Sequence, residues 1–168
     1  MSFSLTPQYS FTELTDISPA FLESLGIDFL MLDMDNTIAA YDEHSPSDRI
    51  MQWAERMKDS GIALYIVSNS ARKARVGSFS KALGVGAVMS ARKPSRKGLL
   101  RAITAAGFQT ENSALVGDQI FTDTLAANRA GVVSIIVKPR RNANVILALR
   151  YVLESPFRAA CKNINRTT

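Results

Sequence analysis

The stretch Phe29-Leu30-Met31-Leu32-Asp33-Met34-Asp35-Asn36-Thr37 decides how this chain is read. An apolar run over 27–32 feeds two carboxylates one residue apart, and a threonine follows the second by two residues. Such a run is what a strand buried on both faces needs. Asp33 and Asp35 cannot continue through a sheet interior, so they belong at the strand's C-terminal end, where ligands bind in open α/β sheets. Residues i and i+2 of a strand share a face, which would aim both carboxylates into one site. Acids that close repel unless a cation lies between them or one keeps a proton. The pattern points to a hard divalent metal and to separate nucleophile and proton-donor roles. The competing reading is an acidic surface turn.

The 168 residues suit a single core, and 46% hydrophobic against 21% charged is a globular balance. No apolar run approaches the ~18 residues that cross a bilayer. The first seven residues have neither the basic start nor the apolar core of a secretory signal. A cytoplasmic location is the resulting expectation. Cys161 and His44 each stand alone, which excludes an internal disulfide, a thiolate zinc cluster and Ser-His-Asp chemistry.

The net charge of +5 is unevenly spread. Residues 1–59 hold eleven acids and three bases, whereas 60–110 hold nine bases and no acid. Residues 138–168 hold seven bases against Glu154 alone. Basic stretches suit anionic partners such as phosphate esters, nucleic acid or anionic lipid; ordinary solvated helix faces are the alternative.

Outward from the central run, apolar strands at 62–67, 87–89, 113–116 and 132–137 alternate with helix signals at 48–60, 71–83, 96–106 and 122–130. Ser18-Pro19 opens a short helix that Gly26 ends. An amphipathic helix over 143–153 closes the series, with Pro156 beyond it. The expected fold is α/β: a five-stranded parallel sheet sandwiched between helix layers, without a cap domain. One domain covers 1–168, with an N-terminal extension (1–26), a core (27–141) and the C-terminal helix (142–168).

Four strand ends carry polar signals. After Asp33 and Asp35, the second strand ends in Ser68-Asn69-Ser70, where hydroxyls and free N–H groups favour an anion or simply cap a helix. Ala91-Arg92-Lys93-Pro94 follows the third strand, and Lys93 there can hold a phosphoryl oxygen as a point charge. The fourth runs into Gly117-Asp118-Gln119-Ile120-Phe121-Thr122-Asp123, whose acids can complete an oxygen shell for Mg²⁺.

In that order the four segments resemble the motifs of the haloacid dehalogenase (HAD) superfamily, and their flanks resemble its subclass IIIA, YqeG-type subgroup, over most of residues 10–140. The resemblance implies that Asp33 is the nucleophile and forms an aspartyl-phosphate, and that Asp35 is the general acid and base. It implies phosphate binding by Ser68 and Lys93, with Asn69 and Thr37 holding Asp33 and its loop beside them. It implies Mg²⁺ held by Asp33, the Asp35 carbonyl and Asp118, with Asp123 in support. The subgroup's relation to phosphatidylglycerophosphate phosphatases suggests a role in phospholipid metabolism.

Asp35 argues against a dehalogenase, which lacks the second acid. The loops 38–46 and 90–96 are too short for the lid a phosphomutase needs. A receiver domain would carry its aspartate after the third strand, where Met89-Ser90 stands. Phosphomonoester hydrolysis is the leading expectation, with phosphatidylglycerophosphate at a membrane surface as substrate and peripheral membrane association as a corollary. Three features support the lipid: short loops that leave the site uncapped, so that a headgroup still embedded in a bilayer could reach Asp33; the basic run from Arg72 to Arg101; and an apolar face of Val145, Ile146, Leu149, Val152 and Leu153 flanked by Arg140, Arg141, Arg150 and Arg158. The alternatives are a nucleic-acid end phosphatase, a small-metabolite phosphatase and a non-catalytic phosphate-binding module.

Overall fold

Every side chain of the run Phe29–Leu32 is buried, and the run forms an inner strand of an all-parallel sheet, paired on both sides. The computed structural model describes residues 4–140 and 145–163. In chain order the elements are β1 (Tyr9–Phe11), α1 (Pro19–Ser24), β2 (Phe29–Leu32), α2 (Asp48–Asp59), β3 (Ala63–Val67), α3 (Lys73–Leu83) and β4 (Gly86–Val88). They continue as α4 (Lys97–Ala106), β5 (Ser113–Gly117), α5 (Leu125–Ala130), β6 (Val133–Val137), α6 (Val145–Ala159) and β7 (Lys162–Asn163). A π-helical turn, Ile120–Thr124, leads into α5.

The sheet order is β4-β3-β2-β5-β6-β1-β7. Alternation along β2 divides the core in two. Leu30 and Leu32 point to the layer built by Trp53 and Met57 of α2 and Val76 and Phe79 of α3. Phe29 and Met31 point to the opposite layer, where Leu99 and Ile103 of α4 meet Ala126 and Ala127 of α5. Each large side chain buried this way contributes about 1.5–3 kcal/mol. Trp53 also donates its Nε1–H to the Ile17 carbonyl at 2.8 Å, which ties the N-terminal segment onto α2.

The expected three-layer α/β architecture is present, with three corrections. The sheet has seven strands rather than five. The added strands are three and two residues long, too short for periodicity to reveal, and they exist because β1 pairs with β6 on one side and β7 on the other. The segment ahead of residue 27 therefore supplies a strand to the sheet. Second, α6 passes through Pro156 to Ala159 instead of stopping before it. Proline removes one intrahelical bond, but Glu154 and Arg158 on either side of it are both anchored to the 118–121 turn. Of the expected C-terminal helix, 142–144 lie outside the described residues, as do 164–168 of the tail. Third, β2 begins at Phe29 and not at 27; Asp28 sits at the sheet's entry edge and accepts from Asn112 Nδ2 at 3.0 Å.

Candidate active site

The chain runs outward from β2 through β3 to β4, then returns to β5 on the other side of β2. That reversal places a crevice beyond the C-terminal ends of β2 and β5, the usual ligand position in such sheets. Asp33 follows β2, and its N–H donates to Val116 of β5 at 2.9 Å. Asp118 follows β5 directly. The two acids are brought together by topology across 85 residues of sequence.

Lys93 enters from the loop between β4 and α4. Its ammonium lies 2.6 Å from Asp33 Oδ1 and 2.8 Å from Asp123 Oδ1, and its side chain is almost wholly buried. Asn69 fixes that loop by a reciprocal pair: the Lys93 N–H donates to Asn69 Oδ1 at 2.7 Å, and Asn69 Nδ2 donates to the Lys93 carbonyl at 2.9 Å. The Asn69 side chain thus holds the Lys93 backbone rather than Asp33. Beneath the loop, a Cβ on Gly98 would fall 2.6 Å from the Ala91 carbonyl oxygen, so only glycine lets α4 pack this closely. Ser68 is buried at the end of β3, and its Oγ accepts from the Ser70 N–H at 3.0 Å.

Asp33, Asp118 and Asp123 each offer a carboxylate oxygen, and these oxygens lie within 4.8 Å of one another, all on buried residues. Among the described residues, Asp118 Oδ1 is buried without a hydrogen-bond partner. Three acids against one ammonium, with an orphaned oxygen among them, fit a hard divalent cation with oxygen ligands. Without one, the protein must hold protons there. Burial pushes the Asp33 carboxyl up from 3.8 to about 7, opposed by Lys93 and reinforced by Asp123 and Asp35. Asp118 is likewise raised well above the usual range by burial, with Asp33 and Asp123 adding to it. Burial disfavours the Lys93 ammonium, but Asp123 and Asp33 more than offset this, and it stays charged. Gly117 is required here as well: a Cβ would sit 2.4 Å from Asp123 Cγ. Asp123 is further held by the Gln119 N–H, which donates to its Oδ2 at 3.1 Å.

Asp35 departs from the simple strand expectation. The strand ends at Leu32, and the N–H groups of Thr37, Ile38 and Ala39 all converge on the Met34 carbonyl. Side-chain alternation is therefore lost, and the Asp35 carboxylate lies outside the acid triad. Its Oδ1 meets Arg75 Nη1 of α3 at 2.5 Å. Arg75 spends its other donors on loop carbonyls, Nη2 on Ala40 at 2.6 Å and Nε on Glu43 at 2.8 Å. Thr37 faces Asp33, with Oγ1 3.4 Å from Asp33 Oδ2. Tyr41 stands nearby; burial and the charges of Asp118, Asp35 and Asp33 push its phenol up to about 12.

Two groups of residues at the site were not legible as such. Arg75 read as part of a basic surface, yet it is buried. Its spacing from Phe79 and Leu83 puts it on the apolar stripe of α3, the signal that marks an inward arginine. Arg158 likewise reads as a flank of the apolar face of the last helix. It donates instead to the carbonyls of Asp118 and Val137 and pairs with buried Glu154 at 3.0 Å. Glu154 Oε1 in turn accepts from the Phe121 N–H at 3.2 Å. The remaining basic residues of the middle stretch, Arg72, Lys73, Lys81, Arg92, Arg96, Lys97 and Arg101, are exposed as expected.

A family model described as haloacid dehalogenase-like hydrolase matches residues 10–131. The chain belongs to that family. This HAD-like hydrolase is 37% identical over 123 residues to the probable phosphatase YqeG of Bacillus subtilis (strain 168), covering 73% of this chain and 71% of that protein. Its fold is similar to the cobalt-bound deoxy-D-mannose-octulosonate 8-phosphate phosphatase of Haemophilus influenzae, with a TM-score of 0.53 at 18% identity over 77% of this chain and 76% of that one. It is similar too to the 3-deoxy-D-manno-octulosonate 8-phosphate phosphatase of Moraxella catarrhalis, solved with magnesium, phosphate and KDO, with a TM-score of 0.52 at 15% identity over 82% of this chain and 93% of that one. At such identities the structural likeness establishes the fold alone. The matched region ends before α6, so the Glu154–Arg158 pair lies outside it.

Proposed function

We propose that this HAD-type phosphatase is a Mg²⁺-dependent phosphomonoester hydrolase working through an aspartyl-phosphate, and that it acts on phosphatidylglycerophosphate at a membrane surface. The observation that carries the chemistry is the Lys93 ammonium lodged between Asp33 and Asp123, beside the orphaned Asp118 oxygen. With a divalent cation held by the acids, that arrangement would make a small, charged cradle suited to a dianionic phosphoryl group.

Asp33 attacks phosphorus as the bond to the leaving oxygen breaks, and Asp35 gives that oxygen its proton. Asp35, now basic, takes a proton from water as the water attacks the aspartyl-phosphate, which frees inorganic phosphate and restores Asp33. Lys93 and Ser68 hold the phosphoryl oxygens, and Thr37 keeps the Asp33 carboxylate turned towards them. Asn69 fixes Lys93 in register through its backbone. Asp33, Asp118 and Asp123 would hold Mg²⁺ with the Asp35 carbonyl. When bound, the cation neutralises negative charge on the transferring group.

The lipid assignment draws on the open rim and on the surface. The loops 38–46 and 90–96 carry no lid, so a headgroup still embedded in a bilayer has access. Seven bases of the middle stretch are exposed, and Leu149, Val152 and Leu153 of α6 are 59%, 63% and 59% exposed on one side of that helix. Side chains at 145 and 146, part of the expected apolar face, lie outside the described residues. No helix among the described residues is long and apolar enough to cross a membrane, so contact would be peripheral. The test is phosphate release from phosphatidylglycerophosphate vesicles, phosphorylated oligonucleotide ends and sugar phosphates in parallel, with vesicle co-sedimentation. Faster release from oligonucleotides or sugars, with no vesicle binding, rejects the lipid. No release from any phosphomonoester rejects hydrolysis itself.

A further inference from the structure

A cavity of about 390 Å³ lies beside the acid triad but does not include it. It opens at the same edge of the sheet, because its walls follow the C-terminal ends of parallel strands: Thr12 follows β1 and Lys138 follows β6. The Lys138 N–H donates to the Thr12 carbonyl at 3.2 Å and closes that wall. Thr37 is common to both sites. It lines the cavity, and its Oγ1 lies 3.4 Å from Asp33 Oδ2.

The lining selects for charge. Arg49, Lys138 and Arg140 face Glu13 as the single carboxylate among the lining residues. Glu13 is taken up by Arg49 at 2.6 Å, in a pair exposed enough to exchange readily for a ligand. Arg140 is anchored to the Ile38 carbonyl at 3.1 Å and to Glu43 at 3.0 Å, so its position is set by the active-site loop. Lys138 is exposed and has no ion-pair partner among the described residues. Three cationic side chains against one carboxylate, with the Lys138 ammonium outside any ion pair among the described residues, are what an anionic oxygen group would satisfy.

We propose that this cavity is a subsite for a second anionic group carried by the leaving alcohol, a phosphate ester or carboxylate separated by a short linker from the phosphate that is cleaved. The inference rests on the phosphatase reading and narrows its substrate class to bis-anionic phosphomonoesters. A leaving alcohol that keeps its second anion in the cavity is oriented past Thr37 with its reactive phosphate towards Asp33. Simple alkyl phosphates lack that anchor.

The test compares alkanediol bisphosphates of two to six carbons with alkyl monophosphates of equal length. The wild type is expected to prefer bisphosphates at least tenfold in kcat/KM, with an optimum at one linker length. In Lys138→Met/Arg49→Met that preference should fall below threefold, a ratio that a general loss of activity does not move. Equal rates for both series, or a preference the double variant retains, overturns the subsite. Calorimetric binding of 1,4-butanediol bisphosphate and of inorganic phosphate to wild type and variant forms a second arm. Bisphosphate binding should be at least fivefold weaker in the variant, and binding no different from that of free phosphate counts against the proposal. Turnover of p-nitrophenyl phosphate reports on the phosphatase reading separately, so the two failures are distinguishable.

Discussion

Arg75 and Asp35, forty residues apart in the chain, form a nearly buried ion pair of 2.5 Å. The same guanidinium binds the Ala40 and Glu43 carbonyls, so one side chain ties Asp35 to the loop that rims the site. Removing it leaves a carboxylate and two carbonyls without their donor. Arg75→Met should cost about 3 kcal/mol of stability, the low end for breaking a buried pair, because Asp35 retains some exposure. If Asp35 protonates the leaving group, the variant should lose far more activity on alkyl phosphates than on p-nitrophenyl phosphate, whose leaving group needs no proton. Equal losses on both would show that Arg75 serves the fold alone.

Asp33→Asn should abolish turnover by several powers of ten, since the amide is not a competent nucleophile. The fold should survive, and metal-free protein should be at least as stable as wild type, because a buried charge in a crowd of acids has been removed. Phosphate release and thermal melting check the two halves.

Stability of the metal-free protein should fall as pH rises. Asp33 has an unfolded value near 3.8 and a folded value of about 7, and Asp118 is shifted in the same direction, both chiefly by burial. The folded state therefore binds more protons than the unfolded state between those values, and the slope of unfolding free energy against pH is negative. Melting in EDTA should show a lower Tm at pH 8 than at pH 5. Added Mg²⁺ should raise the Tm much more at pH 8, where the carboxylates are ionised. A Tm that rises with pH in EDTA would contradict the burial assigned to these acids.

Asp118→Ala should eliminate activity or sharply raise the Mg²⁺ requirement, and exhaustive chelation should stop the wild type. Ca²⁺ should bind yet support little turnover, its larger and looser shell fitting in-line attack poorly. Undiminished activity after chelation would refute the metal assignment.

Glu154→Gln or Arg158→Met should weaken Mg²⁺ affinity by about 10–100-fold, as loss of outer partners does at metal sites. Glu154 holds the Phe121 N–H and Arg158 the Asp118 carbonyl, so both steady the turn that carries Asp118 and Asp123. Titration calorimetry of Mg²⁺ is the measurement; unchanged affinity would confine α6 to a packing role.

The order of elements and the residues at the strand ends were already determined by the sequence. Short apolar runs alternating with helix signals bury themselves best as parallel strands between helices, and charged residues that end such runs lie at the sheet's edge. Asp33, Lys93, Asp118 and Asp123 follow from that logic, because each position is set by a strand a few residues away. Tertiary structure alone decided what those side chains face. Asp35 turns to Arg75 because the backbone leaves the strand after Leu32, a bend that no period-two pattern records. Strands β1 and β7 are stable only because β6 and β1 offer an edge, so their three and two residues carry no signal of their own. Arg75 and Arg158 read as surface charge, since composition counts a guanidinium without seeing what it binds. Whether it meets water or a carbonyl is settled by partners 20 to 40 residues away, and only the packed chain brings them together.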